Sequence, residues 1–255
     1  MTSQREMEEL FNVLAQHNIH RYKADTRIYK YMCVDTAKKA LSNGSIKFST
    51  ADELKDNDLE MTLLNFNLSS EMQEKELDKV CAALLQIGYN KNWVESRRKQ
   101  INCVEMLTHS YKSLQKKLGF FCATTSNKNS RMWNDYADKD KGVCIEYTIP
   151  FFNPHYYALK VNYDREFKPM DLYDKDGNAN EGSIQRWYFT KRILYEFEDE
   201  IRVFYPYDSG IFSVDKRAFT GLFYGNETSP NDIIELEELL TYGGYSFNKG
   251  VKVIY

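Results

Sequence analysis

The sequence predicts a single α+β domain, and three observations carry that prediction. Apolar residues recur at helical spacing through much of the first half, then switch to the alternating or continuous apolar runs of strands in the second. Two strand-like segments precede the helices, so a helical insertion interrupts a sheet-forming chain. No repeat, low-complexity tract or linker divides the 255 residues. The expectation is one domain over 1–255 with a mixed or mostly antiparallel sheet.

The elements follow in order. Ser3 and Glu6 form a capping box ahead of Met7, Leu10, Phe11 and Leu14, which predicts an N-terminal helix within 1–20. Arg27–Tyr31 has the aromatic character of a strand. Asp35 opens a short helix through Leu41 that Asn43-Gly44 stops, and Ile46–Thr50 alternates like a second strand. The helical insertion covers 65–118. Ser70 and Gln73 read as a capping box for its first helix, ended by Gly88. The spacing of Ile101, Val104, Leu107, Tyr111, Leu114 and Leu118 predicts one helix from Trp93, stopped by Gly119.

Strands are then predicted at Phe120–Thr124, Val143–Tyr147, Tyr157–Tyr163, Ile201–Tyr205 and Phe219–Tyr224. The polar stretch 171–182, with Asp-Gly and Gly-Ser steps, predicts a mobile surface loop. Ser229-Pro230 announces a helix to about Leu240, and Gly243-Gly244 turns the chain into Val251–Tyr255.

Bulk properties exclude several classes. A formal net charge of −3 gives no electrostatic footprint for nucleic acid or an acidic membrane. The longest nearly apolar run, Val80–Ile87, falls far short of the roughly 20 residues that span a bilayer. The N-terminus carries no apolar signal stretch, so a cytoplasmic protein is expected. Cys33, Cys81, Cys103, Cys122 and Cys144 are odd in number and lack a C-x-x-C pair, which argues against a disulfide framework or a zinc knuckle. The 19 tyrosines stand out, because a ring with a polar tip suits half-buried grooves.

Four ordered blocks carry a family resemblance. They are Ile28–Tyr31 with Leu41–Ser49 and Glu53–Glu60; Cys122–Thr125 with Met132–Ala137 and Lys141–Glu146; Tyr195–Arg202, which carries Glu198-x-Glu200-x-Arg202; and Leu222–Gly225 with Ser229 before a helix. In this order, over roughly residues 28–240, the chain resembles the bacterial family called domain of unknown function 2971.

The chain lacks the G-x-S-x-G, G-x-x-x-x-G-K, G-x-G-x-x-G and H-E-x-x-H signatures. What it offers is carboxylate, hydroxyl, aromatic and arginine. Transfer of ADP-ribose from NAD works with that set and needs no metal. Cleavage of the nicotinamide–ribose bond builds positive charge on the sugar, which a fixed carboxylate stabilises.

In the order of its blocks the chain is similar to ADP-ribosyltransferases of the Arg–Ser–Glu type, whose sheet is split. That resemblance implies that Glu200 is catalytic, Glu198 assists the acceptor and Ser49 orients the catalytic carboxylate. It implies cofactor contacts from Arg27, with Thr50, Trp133 and Arg202 beside it, and ring packing by Tyr29, Tyr31 and Tyr136. NAD or another nucleotide is the expected partner, with a macromolecular acceptor, no metal, and a role in bacterial conflict or phage defence.

Structural readings stand beside these roles. Glu200 could pair with Arg202 or Arg192, Ser49-Thr50 could cap the Asp52 turn, and Trp133 and Tyr136 could anchor a loop. Two other functions also fit: a non-enzymatic binding module with a Tyr-rich groove, and a metal-dependent nuclease built on Asp56, Asp58 and Glu60.

Overall fold

A computed structural model describes residues 26–54, 64–66, 68–148, 157–166, 168–174, 180–205 and 208–253. The chain begins with β1 (Arg27–Met32), α1 (Val34–Asn43) and β2 (Ser45–Phe48). Then come β3 (Leu64–Asn65), α2 (Ser70–Gln86), α3 (Lys91–Arg98) and α4 (Cys103–Gln115). The second half contributes β4 (Gly119–Thr124), α5 (Ser130–Tyr136), β5 (Val143–Thr148), β6 (Tyr157–Lys160), β7 (Asn162–Asp164) and β8 (Met170–Asp171). The last elements are α6 (Glu181–Phe189), β9 (Thr190–Arg192), β10 (Glu200–Tyr205), β11 (Gly210–Ser213), β12 (Phe219–Tyr224), α7 (Pro230–Gly243) and β13 (Val251–Lys252).

This is an α+β domain. Among the described residues seven strands form one sheet in the order β13-β12-β5-β1-β4-β10-β6, antiparallel except for the parallel β12–β13 pair. The described residues also form the two-stranded pairs β11–β2, β3–β8 and β7–β9.

Alternation along the strands divides the core between the two faces of the large sheet. Ile28, Phe121, Ala123, Val143, Ile145, Ile201 and Val203 face one side, where Ala37 and Leu41 of α1 and Leu236 and Leu240 of α7 cover them. The other face is aromatic. Phe120 and Phe204 pack there with Trp187 and Tyr188 of α6, and Tyr31 and Cys144 pack with Trp133 of α5. Gly44 ends α1 in the left-handed conformation (φ 56°), which a glycine adopts at no steric cost.

Several expectations change. The predicted helix from Trp93 to Leu118 is two helices, α3 and α4, broken at Lys99–Asn102. Gly119 is not its stop: it opens β4, where an added Cβ would meet the Asp208 carbonyl at 2.5 Å and Phe48 Cβ at 2.8 Å. The cap of α2 is Ser69, which accepts from Met72 N–H, in place of Ser70 with Gln73. Tyr157–Tyr163 is two strands in different sheets, and helix α6 begins within the expected loop 171–182. The predicted helix within 1–20 and the loop carrying Asp56, Asp58 and Glu60 lie outside the described residues. No helix among the described residues is long and apolar enough to cross a membrane.

Candidate functional site

The site starts from a gap in the large sheet. β1 pairs with β5 through six residues and β4 pairs with β10 through six, yet β1 and β4 share only the pair Tyr29↔Thr124. At the other end of β4 the neighbour is Ser49, which exchanges two backbone hydrogen bonds with Phe120, at 2.9 and 2.8 Å. Between these contacts the β4 edge at Phe121–Ala123 parts from β1. Lys30 reaches across, its Nζ donating to the Cys122 carbonyl at 2.5 Å. A carbonyl left unpaired inside a fold is costly, so a side-chain donor there replaces the missing ladder bond.

A cavity of about 200 Å³ occupies this gap. Ser49, Tyr29, Tyr31, Tyr136, Glu198, Glu200 and Arg202 all line it, with Lys30, Cys122 and Lys191. Seven of the ten residues singled out from sequence therefore meet in one place.

The carboxylates converge because of a backbone device. A 3₁₀ helix over Ile193–Glu198 ends at Asp199, a non-glycine residue in the left-handed region (φ 42°, ψ 53°), and β10 starts at the next residue. That turn sends Asp199 outward to an ion pair with Lys160 at 2.5 Å and a hydrogen bond from Thr125. Glu198 and Glu200 meet on Lys191 instead, whose Nζ lies 2.6 Å from Glu198 Oε2 and 3.2 Å from Glu200 Oε2. Such left-handed positions cost about 1–3 kcal/mol and persist where surrounding contacts over-determine them.

The cluster is dry. Lys191, Glu198, Glu200 and Arg202 are 2–4% exposed. Arg202 Nε donates to Glu200 Oε1 at 2.7 Å and its Nη1 donates to the Tyr188 carbonyl at 2.7 Å. The Tyr136 hydroxyl donates to Glu198 Oε1 at 2.5 Å, and Glu200 N–H donates to the Tyr163 hydroxyl at 2.7 Å.

The two acids respond differently to one environment. Burial raises the proton affinity of both. For Glu198 burial dominates over Lys191 and Tyr136, and its carboxyl is held above the ordinary glutamate value. For Glu200 burial is outweighed by Arg202 and Lys191 together, which hold its carboxyl well below that value. Burial also raises the Tyr29 phenol to about 12, helped by Glu146.

Three sequence-predicted residues do not line the cavity. Arg27 begins β1 beyond Tyr29, largely exposed, and pairs with Glu146 (Nη1–Oε1 3.4 Å). It shares the face of Tyr29 and Tyr31, but each two-residue step moves about 7 Å along a strand. Thr50 precedes the 3₁₀ turn Ala51–Glu53, its N–H donating to Glu53 Oε2 at 3.1 Å. Trp133 is fully buried, donates from Nε1 to the Asn127 carbonyl at 2.8 Å and packs edge-on against Tyr31. These two hold the walls in place. Arg202 lines the cavity, but its guanidinium is engaged by Glu200 and the Tyr188 carbonyl.

Lys191 was not singled out from sequence. In Thr190-Lys191-Arg192 it reads as surface charge, and the one available signal was the need of two buried acids for a cation. Among the described residues no group of three or more His, Cys, Asp or Glu side chains is placed to hold a metal ion. No protein-family model, no curated protein and no solved structure matches this chain.

Proposed function

We propose that this cavity cleaves the bond between nicotinamide and ribose in NAD, passing ADP-ribose to an acceptor or to water. The observation that carries the reading is the pair Glu198 and Glu200, buried in one tyrosine-lined cavity yet driven to opposite protonation tendencies. Two acids separated in this way mark a division of roles. In the reaction the C1′–N1 bond breaks and its electron pair leaves with the nicotinamide ring, which becomes neutral. Positive charge develops on the ribose, where the ionised Glu200 stabilises it. Glu198, the more basic carboxylate, takes the proton of the incoming hydroxyl as that oxygen bonds C1′.

Tyr29, Tyr31 and Tyr136 supply faces and edges for the nicotinamide ring, and Ser49 orients the ribose. The cavity is smaller than the roughly 300–1,000 Å³ that holds a whole drug-sized ligand. It therefore takes nicotinamide with its ribose, leaving pyrophosphate and adenosine outside. The ordered blocks that resemble the domain of unknown function 2971 family include the residues of this cavity apart from Lys191, and a bacterial conflict or phage-defence role is part of the same reading.

The test is chromatography of NAD incubated with the protein. Nicotinamide release is expected, slowed about 100-fold or more in Glu200→Gln. Absence of release with several acceptors, together with no NAD binding in a calorimetric titration, would refute the reading. A second reading has its own support, since Lys191 already engages both carboxylates. A non-enzymatic nucleotide-binding groove would bind without turnover, and Glu200→Gln would leave that binding unchanged.

A further inference from the structure

The cluster holds a lysine whose position does more than neutralise charge. Lys191 lies on β9, two residues before the 3₁₀ helix that delivers Glu198, and its Nζ also sits 4.5 Å from the centre of the Tyr195 ring. Its two carboxylates are unequally supplied. Glu200 takes a second cation, Arg202, at 2.7 Å, whereas Glu198 takes the Tyr136 hydroxyl. The groups facing Glu198 are thus Lys191 from β9, Glu200 from β10 and Tyr136 from α5, with Tyr163 of β7 bonded behind Glu200.

We infer that Lys191 is a positioning residue that acts through Glu198: its ammonium bridges the two carboxylates, keeping both in one dry site and leaving Glu198 as the one that exchanges a proton. The catalytic side of this role rests on the proposed NAD reaction; the charge relation does not. Without the ammonium, the pair keeps one of its two cations, Arg202 on Glu200, while Glu198 keeps the neutral Tyr136 hydroxyl. Two like charges at close range cannot both stay ionised, so the less supplied one takes up a proton.

The relation is read by carbon-13 NMR titration of the glutamate side-chain carboxyls, with the Glu198 signal assigned by its loss in Glu198→Gln. In Lys191→Met the Glu198 midpoint is expected to rise by about one pH unit or more, and Lys191→Arg to bring it back. An unmoved midpoint in Lys191→Met overturns the inference.

If Lys191→Met folds poorly, double variants decide. Adding Glu198→Gln removes the uncompensated acid and should restore the urea midpoint. Adding Glu200→Gln strands both Arg202 and Glu198 and should not. Equal behaviour of the two doubles also overturns the inference. Nicotinamide release is scored separately: its absence retires the proposed reaction, while the titration alone decides the Lys191–Glu198 relation.

Discussion

Two ion clusters of nearly the same composition sit in different parts of this molecule. On the helical insertion Arg98 of α3 bridges Glu74 and Asp78 of α2, both at 2.5 Å, with the two carboxylates in solvent. Behind the sheet Lys191 bridges Glu198 and Glu200 at similar distances with all three groups dry. Geometry alone would rank the surface cluster as the stronger. Solvent reverses that ranking. Water already solvates the surface charges, so joining them gains little and salt screens it. In the interior each charge has lost its hydration, so each depends on its partner and removing one leaves an expensive orphan. The same dependence lets small asymmetries, such as Arg202 on one acid, separate two glutamates chemically.

Breaking the interior cluster should give the largest effect. Arg202→Met leaves Glu200 to share the single Lys191 ammonium with Glu198, and is expected to cost about 3–5 kcal/mol, read as a fall in the urea midpoint. An effect no larger than that of a surface arginine would show that water reaches the cluster.

Acid should distinguish the two glutamates next. Glu200 is held below its unfolded value of about 4.3, so its stabilisation is full above that pH and fades as pH falls toward the folded value. Glu198 has the opposite sign: it is held above the unfolded value, and its contribution is present below about pH 4.3 and lost as pH rises through the folded value. Urea midpoints between pH 3 and 6 should therefore show a shallower acid-side decline in Glu200→Gln than in Glu198→Gln.

A smaller effect is expected from Tyr136→Phe, which removes one donor from a carboxylate that keeps Lys191. The cost should be about 1.5 kcal/mol, with the Glu198 titration moving up. No movement would mean that the hydroxyl is replaced by water. The smallest effect belongs to Arg98→Ala, whose urea midpoint should match the parent protein within scatter. A clear loss there would make the surface cluster structural.

The contrast also explains what could be read from the chain. β1, β4, β5 and β12 follow from apolar runs whose character is local, and α7 from Ser229-Pro230 and its apolar spacing. The residues Ser49, Tyr29, Tyr31, Tyr136, Glu198 and Glu200, expected together from the order of their motifs, line one cavity. Lys191 was not legible, since a lysine beside an arginine reads as solvated until two buried acids surround it. Arg27 was misplaced for a related reason: periodicity gives the face of a strand but not how far along it a cavity extends. The split of the 93–118 helix and the start of α6 rest on packing against the sheet, which no local pattern records.

The most direct test is a crystal structure of Glu200→Gln soaked with NAD, a variant that should bind and turn over slowly. Nicotinamide and its ribose are expected in the gap between β1 and β4, with the ribose against residues 198–200 and the ring among Tyr29, Tyr31 and Tyr136. NAD bound on another surface, or an empty gap at millimolar NAD, would contradict it.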